Sequence, residues 1–116
     1  MKLNGIFERA VRLCGIGEEY LKGNDLADLK TRALSAINAT LFDLCGAEEH
    51  DSLAQEAAVA PGIADAAVYG TAMFLSLAYG DTDKSSLFSS VYNAKRAAAK
   101  SAVSSVNDVI PGPEAQ

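Results

Sequence analysis

The chain has 116 residues, three Pro, no Trp and a formal charge of −5, and nearly half of its residues are hydrophobic. That length fits one domain with one modest core, and an Ala-rich, Pro-poor, weakly aromatic composition favours helices over a β-sandwich. Residues 1–80 hold six basic and eleven acidic side chains, and residues 81–116 hold four of each. An acidic chain without a basic stripe argues against sequence-specific nucleic-acid binding, because affinity there comes mainly from Lys and Arg meeting phosphates.

The opening Met1-Lys2-Leu3-Asn4-Gly5-Ile6-Phe7-Glu8-Arg9 does not read as a signal peptide, since charges interrupt it at once. No uncharged apolar run reaches the ~18–20 residues of a membrane span. The expected compartment is the cytoplasm. Asn4 is the expected N-cap of a first helix over about residues 5–14, with Ile6, Phe7, Ala10, Val11, Leu13 and Cys14 at 3–4 spacing. Gly15 and Gly17 stop it. Residues 15–24 form a link with room for one turn around Tyr20 and Leu21.

Asp25 is the next expected cap, for a helix over residues 26–45. Leu26, Leu29, Ala33, Ile37, Leu41 and Leu44 draw one stripe down it. Gly46 ends it. Residues 46–62 read as a long acidic loop closed by Pro61-Gly62, with a helical turn expected at 52–58. A third helix is expected over 65–79. It is apolar nearly all round, so it reads as the buried central helix, with Gly70 marking close packing. Phe74 and Leu75 are expected in its core. Gly80 ends this helix, and Asp81 or Thr82 caps a fourth over about 83–106. One edge of the fourth helix carries Leu87, Val91, Ala94, Ala98 and Ala102. The other carries Phe88, Tyr92, Ala99, Val103 and Val106, and Lys95 falls between them. Residues 107–116 contain Pro111, Gly112 and Pro113 and read as an extended tail. The expected architecture is all-α: a bundle of four to five helices over residues 1–106, then the tail.

Sites of chemistry are hard to find in this sequence. His50 is the only histidine, in Glu48-Glu49-His50-Asp51, and adjacent residues rarely converge on one metal ion. It reads as part of a solvated loop. Cys14 and Cys45 are too few for a disulfide framework and read as reduced, half-buried thiols at helix ends. Gly15-Ile16-Gly17 follows a helix rather than a strand, so it is a helix stop and not a phosphate loop. No nucleophile, base and cofactor loop come together, and neither an enzyme nor a cofactor is expected. Lys95, Arg96 and Lys100 form the one basic cluster. Cations there suit the helix macrodipole, and they also suit an acidic protein surface. Lys95 is expected to pack its stem and reach a carboxylate, on a neighbouring subunit, while Arg96 points to the polar face.

Several segments resemble the head-to-tail adaptor (connector) proteins of tailed bacteriophages and prophages. They are Leu3-Asn4-Gly5-Ile6-Phe7-Glu8-Arg9-Ala10, Leu29-Lys30-Thr31-Arg32-Ala33 leading to Ile37-Asn38, and Tyr69-Gly70-Thr71-Ala72 with Leu75, Leu77 and Ala78 before Gly80-Asp81. The longest is Leu87-Phe88-Ser89-Ser90-Val91-Tyr92-Asn93-Ala94-Lys95-Arg96, reaching Lys100, and then Val109-Ile110-Pro111. The resemblance implies a homo-oligomeric ring under the portal, contact with the portal and a following neck protein, and a place at the head–tail junction of a virion. It also implies that the C-terminal segment, here with Val109, Ile110 and Pro111, reaches onto a neighbour or the portal. The alternative is a small helical interaction or regulatory module, antitoxin-like or small-terminase-like.

Overall fold

The structure is a computed structural model and describes the backbone of residues 1–109 and the side chains of residues 1–101. Among these, four α-helices follow one another: α1 (Leu3–Cys14), α2 (Gly23–Cys45), α3 (Pro61–Ala78) and α4 (Thr82–Val109). A single 3₁₀ turn, Glu18–Tyr20, lies in the link between α1 and α2. The fold is an all-α bundle. No helix among the described residues is long and apolar enough to cross a membrane.

The apolar stripes expected on α1 and α2 are the ones that pack. Ile6, Phe7, Ala10, Val11 and Cys14 of α1 are buried, as are Leu29, Ala33, Ile37, Leu41 and Leu44 of α2. The starts of both helices differ from expectation. Asn4 and Asp25 lie inside their helices, and the capping positions are Lys2 and Lys22, without a side-chain cap. The amide groups of Leu3 and Asn4 donate instead to the carbonyls of Gln55 and Leu53, at 3.0 and 2.8 Å. Loop 46–60 thus satisfies the open N–H groups at the start of α1, which a side-chain cap would otherwise take.

Over 52–58 that loop makes one hydrogen-bonded turn, in which the Gln55 amide donates to the Ser52 carbonyl at 3.1 Å, and nothing longer that is helical. It is held by its own polar groups and by the N-terminus. The Gln55 side-chain oxygen accepts from the amides of Asp51 and Ser52. The Ala57 amide donates to the Met1 carbonyl at 3.0 Å, and the terminal amine returns a bond to the Ala57 carbonyl. Helix α3 begins at Pro61 rather than at residue 65. Proline suits this first position, since its missing N–H would find no partner within the helix.

Helix α3 packs against α1, α2 and α4, and ten of its residues are buried. Cys14 of α1 lies beside Ala72 and Ser76, and Arg9 beside Asp65, so α1 runs parallel to α3. Helix α4 runs antiparallel, with Ser85 bonded to the Met73 carbonyl and Lys95 to Asp65. Thr40 of α2 and Tyr92 of α4 meet over Gly70. A Cβ at Gly70 would sit 2.6 Å from Thr40 Cγ2 and 2.9 Å from Tyr92 Cε1. Gly70 therefore gives up helix propensity so that three helices can approach.

One face of α3 is not covered. Leu75 is buried, but Phe74 is 43% exposed and Leu77 58% exposed. The expectation that Phe74 belongs to the core is thus corrected: α2 and α4 close over Gly70 but leave the C-terminal half of that face open. Gly80, at φ 81°, turns the chain, and the Asp81 amide donates back to the Ser76 carbonyl at 2.8 Å. Asp81 then caps α4, accepting from the Lys84 amide at 3.0 Å. Helix α4 runs on to Val109, so Asn107–Val109 belong to the helix and not to the expected tail. The rest of that tail, with Ile110 and Pro111, lies outside the described residues.

Leu75→Ala should cost ~2–5 kcal/mol, as for a fully buried leucine. Phe74→Ala should cost clearly less, and denaturant melts of the two variants check the order. Gly70→Ala should destabilise despite alanine's better helix propensity, because its Cβ overlaps Thr40 and Tyr92. Gly62→Ala, at a helical position with open space around it, should be neutral or stabilising by up to about 1 kcal/mol. Equal shifts for the two glycine variants would show that the crossing at Gly70 is not tight.

Candidate interaction surface

Helix α4 presents two of its three clustered cations to the rest of the bundle. The Lys95 ammonium reaches Asp65 Oδ2 of α3 at 2.5 Å and stands 5.2 Å from the centre of the Tyr69 ring. Arg9 of α1 reaches the other oxygen of Asp65 at 3.1 Å. One carboxylate therefore gathers α1, α3 and α4. The expectation that Lys95 reaches a carboxylate is met within its own chain, and the neighbouring subunit imagined for that contact is not needed. Its stem lies in the apolar arc because Tyr69 and Asp65 accept it there.

Arg96 does not point simply into solvent. It forks onto both oxygens of Asp43 on α2, at 2.6 and 3.1 Å, and the Tyr92 hydroxyl donates to Asp43 Oδ2 at 2.6 Å. Bidentate guanidinium–carboxylate pairing fixes direction as well as charge. Lys100 is exposed, one turn further on. Val109 is on α4, and nothing is described for Ile110 and Pro111.

These ties shift the groups that make them. The Asp43 carboxyl is held below its usual range, first by Arg96 and then by Tyr92. Asp65 is lowered by Lys95 and, after it, by Arg9, against the opposing effect of burial. Tyr92 is raised by burial and by Asp43, so its phenol stays protonated as a donor. Exposed pairs of this kind contribute little stability on their own. Their role is to fix how α4 lies on α2 and α3.

The other polar candidates, Cys14, Cys45 and His50, lie apart from this cluster. Cys14 is buried, with Sγ 3.4 Å from the Ala72 carbonyl oxygen and 3.3 Å from Ser76 Oγ, and burial raises its pKa. A protonated, buried thiol is a poor nucleophile. Cys45 is exposed rather than half-buried, and its thiol leans on the Leu41 carbonyl within α2. His50 is half-buried rather than solvated. Its backbone makes a two-bond clasp with the Asn38 side chain, at 2.8 and 2.9 Å, and its Nδ1 is buried without a hydrogen-bond partner among the described residues. The histidine position thus pins loop 46–60 to α2. Among the described residues, no three His, Cys, Asp or Glu side chains gather as a metal site.

Several large apolar side chains also remain open. Phe42 is 69% exposed on α2, Phe74 and Leu77 project from α3, and Leu87 is 59% exposed on α4. A groove runs between α2 and α3, lined by Ser35, Ala36, Ala39, Phe74, Leu75 and Ala78 together with the polar Thr31 and Arg32. On α4, Leu87, Ala94 and Ala98 are exposed and Val91 half-buried, along the edge that turns away from Arg96 and α2. Spacing marks all of these as apolar helix positions but cannot say which would be left uncovered. Asp43, Asp65 and Arg9 also escape sequence reasoning, because their partners lie 30 to 56 residues away.

Comparison with protein-family models, with curated proteins and with solved structures finds no match to this chain.

A carboxylate lowered in the folded state adds stability above its unfolded pKa of about 4 and loses it as pH falls through the folded value. Asp65→Asn should therefore lower the melting temperature near neutral pH, and the gap to the parent chain should close as the pH falls below the ordinary carboxylate range. Thermal melts across that range check this. A gap that stays constant with pH would mean that the charge on Asp65 contributes nothing.

Proposed function

We propose that this protein is a structural head-to-tail connector of a tailed bacteriophage or prophage. It forms a homo-oligomeric ring beneath the portal and joins the head to the neck and tail. The observation that carries this reading is the set of segments resembling that family, from Leu3–Ala10 to Leu87–Arg96, spread over most of the chain. The exposed Phe42, Phe74, Leu77 and Leu87 support it, since a small protein that works alone has little use for large apolar side chains on three helices. The reading is of a non-catalytic protein with no cofactor. It is made in the host cytoplasm and ends in the virion at the head–tail junction.

In this reading the C-terminal segment with Val109, Ile110 and Pro111 is the part that reaches the portal or the next subunit. An apolar segment with a proline suits docking along another chain. Mass measurement of the protein mixed with the portal ring of its own phage or prophage tests the proposal. A portal-bound species of defined stoichiometry is expected, and no association at micromolar concentration would overturn it. Ending the chain after Val106 should leave the melting temperature nearly unchanged while reducing portal binding.

A further inference from the structure

A cavity of about 520 Å³ opens between the first turn of α1, one face of α2 and residues 52–54 of the loop. Its charge runs against that of the region around it. Residues 1–81 hold twelve carboxylates against six cations, yet none of the eight residues lining the cavity is acidic, and two, Lys2 and Lys30, are lysines. Arg9 and Arg32, two other cations of that region, are closed on Asp65 and Asp28. Lys2 and Lys30 make no ion pair among the described residues. On α2, the positions three and four away from Lys30 are Leu26, Ala27, Ala33 and Leu34, so its own helix offers it no carboxylate. Glu56 lies opposite Lys2, but its carboxylate faces the Met1 amine, at 3.6 Å.

The segments that carry the two lysines are held in place without a ligand. Lys2 bridges to Glu56, and the amides that follow it, of Leu3 and Asn4, donate to the carbonyls of Gln55 and Leu53. The loop is in turn clasped to α2 by Asn38 and the backbone of His50. A ligand between Lys2 and Lys30 therefore does not have to draw α1 and α2 together, and that lowers the cost of binding. Ser52 adds a neutral donor. Its oxygen accepts from the Ala54 amide at 3.1 Å, which leaves its own hydrogen free to donate. Leu34 and Leu53, both half-buried, supply an apolar wall beside these polar groups.

This donor set selects among anions. A planar carboxylate is matched best by the fork of a guanidinium, whereas an ammonium group acts as a compact point charge. Two ammonium groups and a hydroxyl, with no acidic side chain among them, suit a tetrahedral dianion. We propose that the cavity binds a phosphoryl group, carried by a small phosphate ester or by inorganic phosphate. Lys2 and Lys30 neutralise its two charges, Ser52 donates to a further oxygen, and Leu34 and Leu53 take the organic part of an ester. The site shares no residue with the ion-pair cluster on α4, and it stands or falls independently of the connector reading.

Titration of the ¹⁵N-labelled full chain with inorganic phosphate and with phenyl phosphate, followed by amide NMR shifts, tests the proposal. The titration runs at constant ionic strength and about pH 8, where a phosphate monoester is a dianion. Saturable shifts are expected at residues 2–4, 30–34 and 52–54. Lys2→Gln and Lys30→Gln should each weaken binding about tenfold, as for the loss of one hydrogen bond to a charged group. Both lysines are exposed, and a thermal melt confirms that each variant folds. Lys22→Gln removes the same charge from outside the cavity and should change binding less than about twofold, as for a distant exposed charge screened by salt. Tighter binding of phenyl phosphate assigns the site to an ester and tighter binding of inorganic phosphate to the free ion, and either supports the proposal. Shifts that do not saturate, or that fall elsewhere, would overturn it. So would equal weakening by all three variants, which would show mere attraction to positive charge, or binding of phenol as tight as that of phenyl phosphate.

Discussion

The structure turns on one close approach. At Gly70 the backbone of α3 is bare, and Thr40 from α2 and Tyr92 from α4 come down on it together. Nothing else brings α4 so near to α2, for the two helices share only a short stretch of contact. Once Tyr92 lies over Gly70, its hydroxyl is placed on Asp43, and Arg96, one turn further along α4, falls on the same carboxylate. The polar ties follow from the steric fit. A side chain at position 70 would push α2 and α4 apart and leave Asp43, Tyr92 and Arg96 to find water instead.

The same geometry explains the exposed surface. Helices that converge at one point diverge on either side of it. Toward the C-terminal end of α3, Phe74 and Leu77 stand open. Helix α4 packs along α3 through Phe88 and Tyr92 and leaves its Leu87 edge bare. The N-terminal region is held in a different way. Loop 46–60 supplies carbonyls to the first turn of α1, and the Asn38 side chain clasps the backbone of His50. An acidic loop without a recognisable motif thus serves as the cap of a distant helix. Its acidic side chains stay at the surface while its backbone does the work.

Several polar groups of the bundle tie one helix to another. Asp65 gathers Arg9 and Lys95, Asp43 gathers Tyr92 and Arg96, and Ser76 partners Cys14. These groups hold the helices in register with one another. The apolar side chains on α2, α3 and α4 are the part of the surface not accounted for by folding. The surface of the bundle thus combines ion pairs closed within the chain with a few large apolar side chains left exposed.

Much of the fold was legible in the residues. Helical periodicity named the buried faces of α1 and α2, because a stripe at 3–4 spacing can be covered only by one side of a helix. Glycines 15, 46 and 80 marked chain reversals, because each takes a left-handed conformation that other residues avoid. Gly70 in an apolar run signalled close packing. Helix starts were read less well, since Asn4 and Asp25 resemble caps while the open amides of α1 are met by Leu53 and Gln55, fifty residues away. The surface could not be read at all. Leu75 and Phe74 are neighbours of similar character, and only the convergence of α2 and α4 over Gly70 decided that one is buried and the other bare. Lys95 looked like a cation in search of a partner chain, and only the register of α4 against α3 put Asp65 of the same chain beneath it. Sequence determines what each helix can offer on each of its faces; which face meets a neighbour depends on how helices cross, and that is set by contacts between residues far apart in the chain.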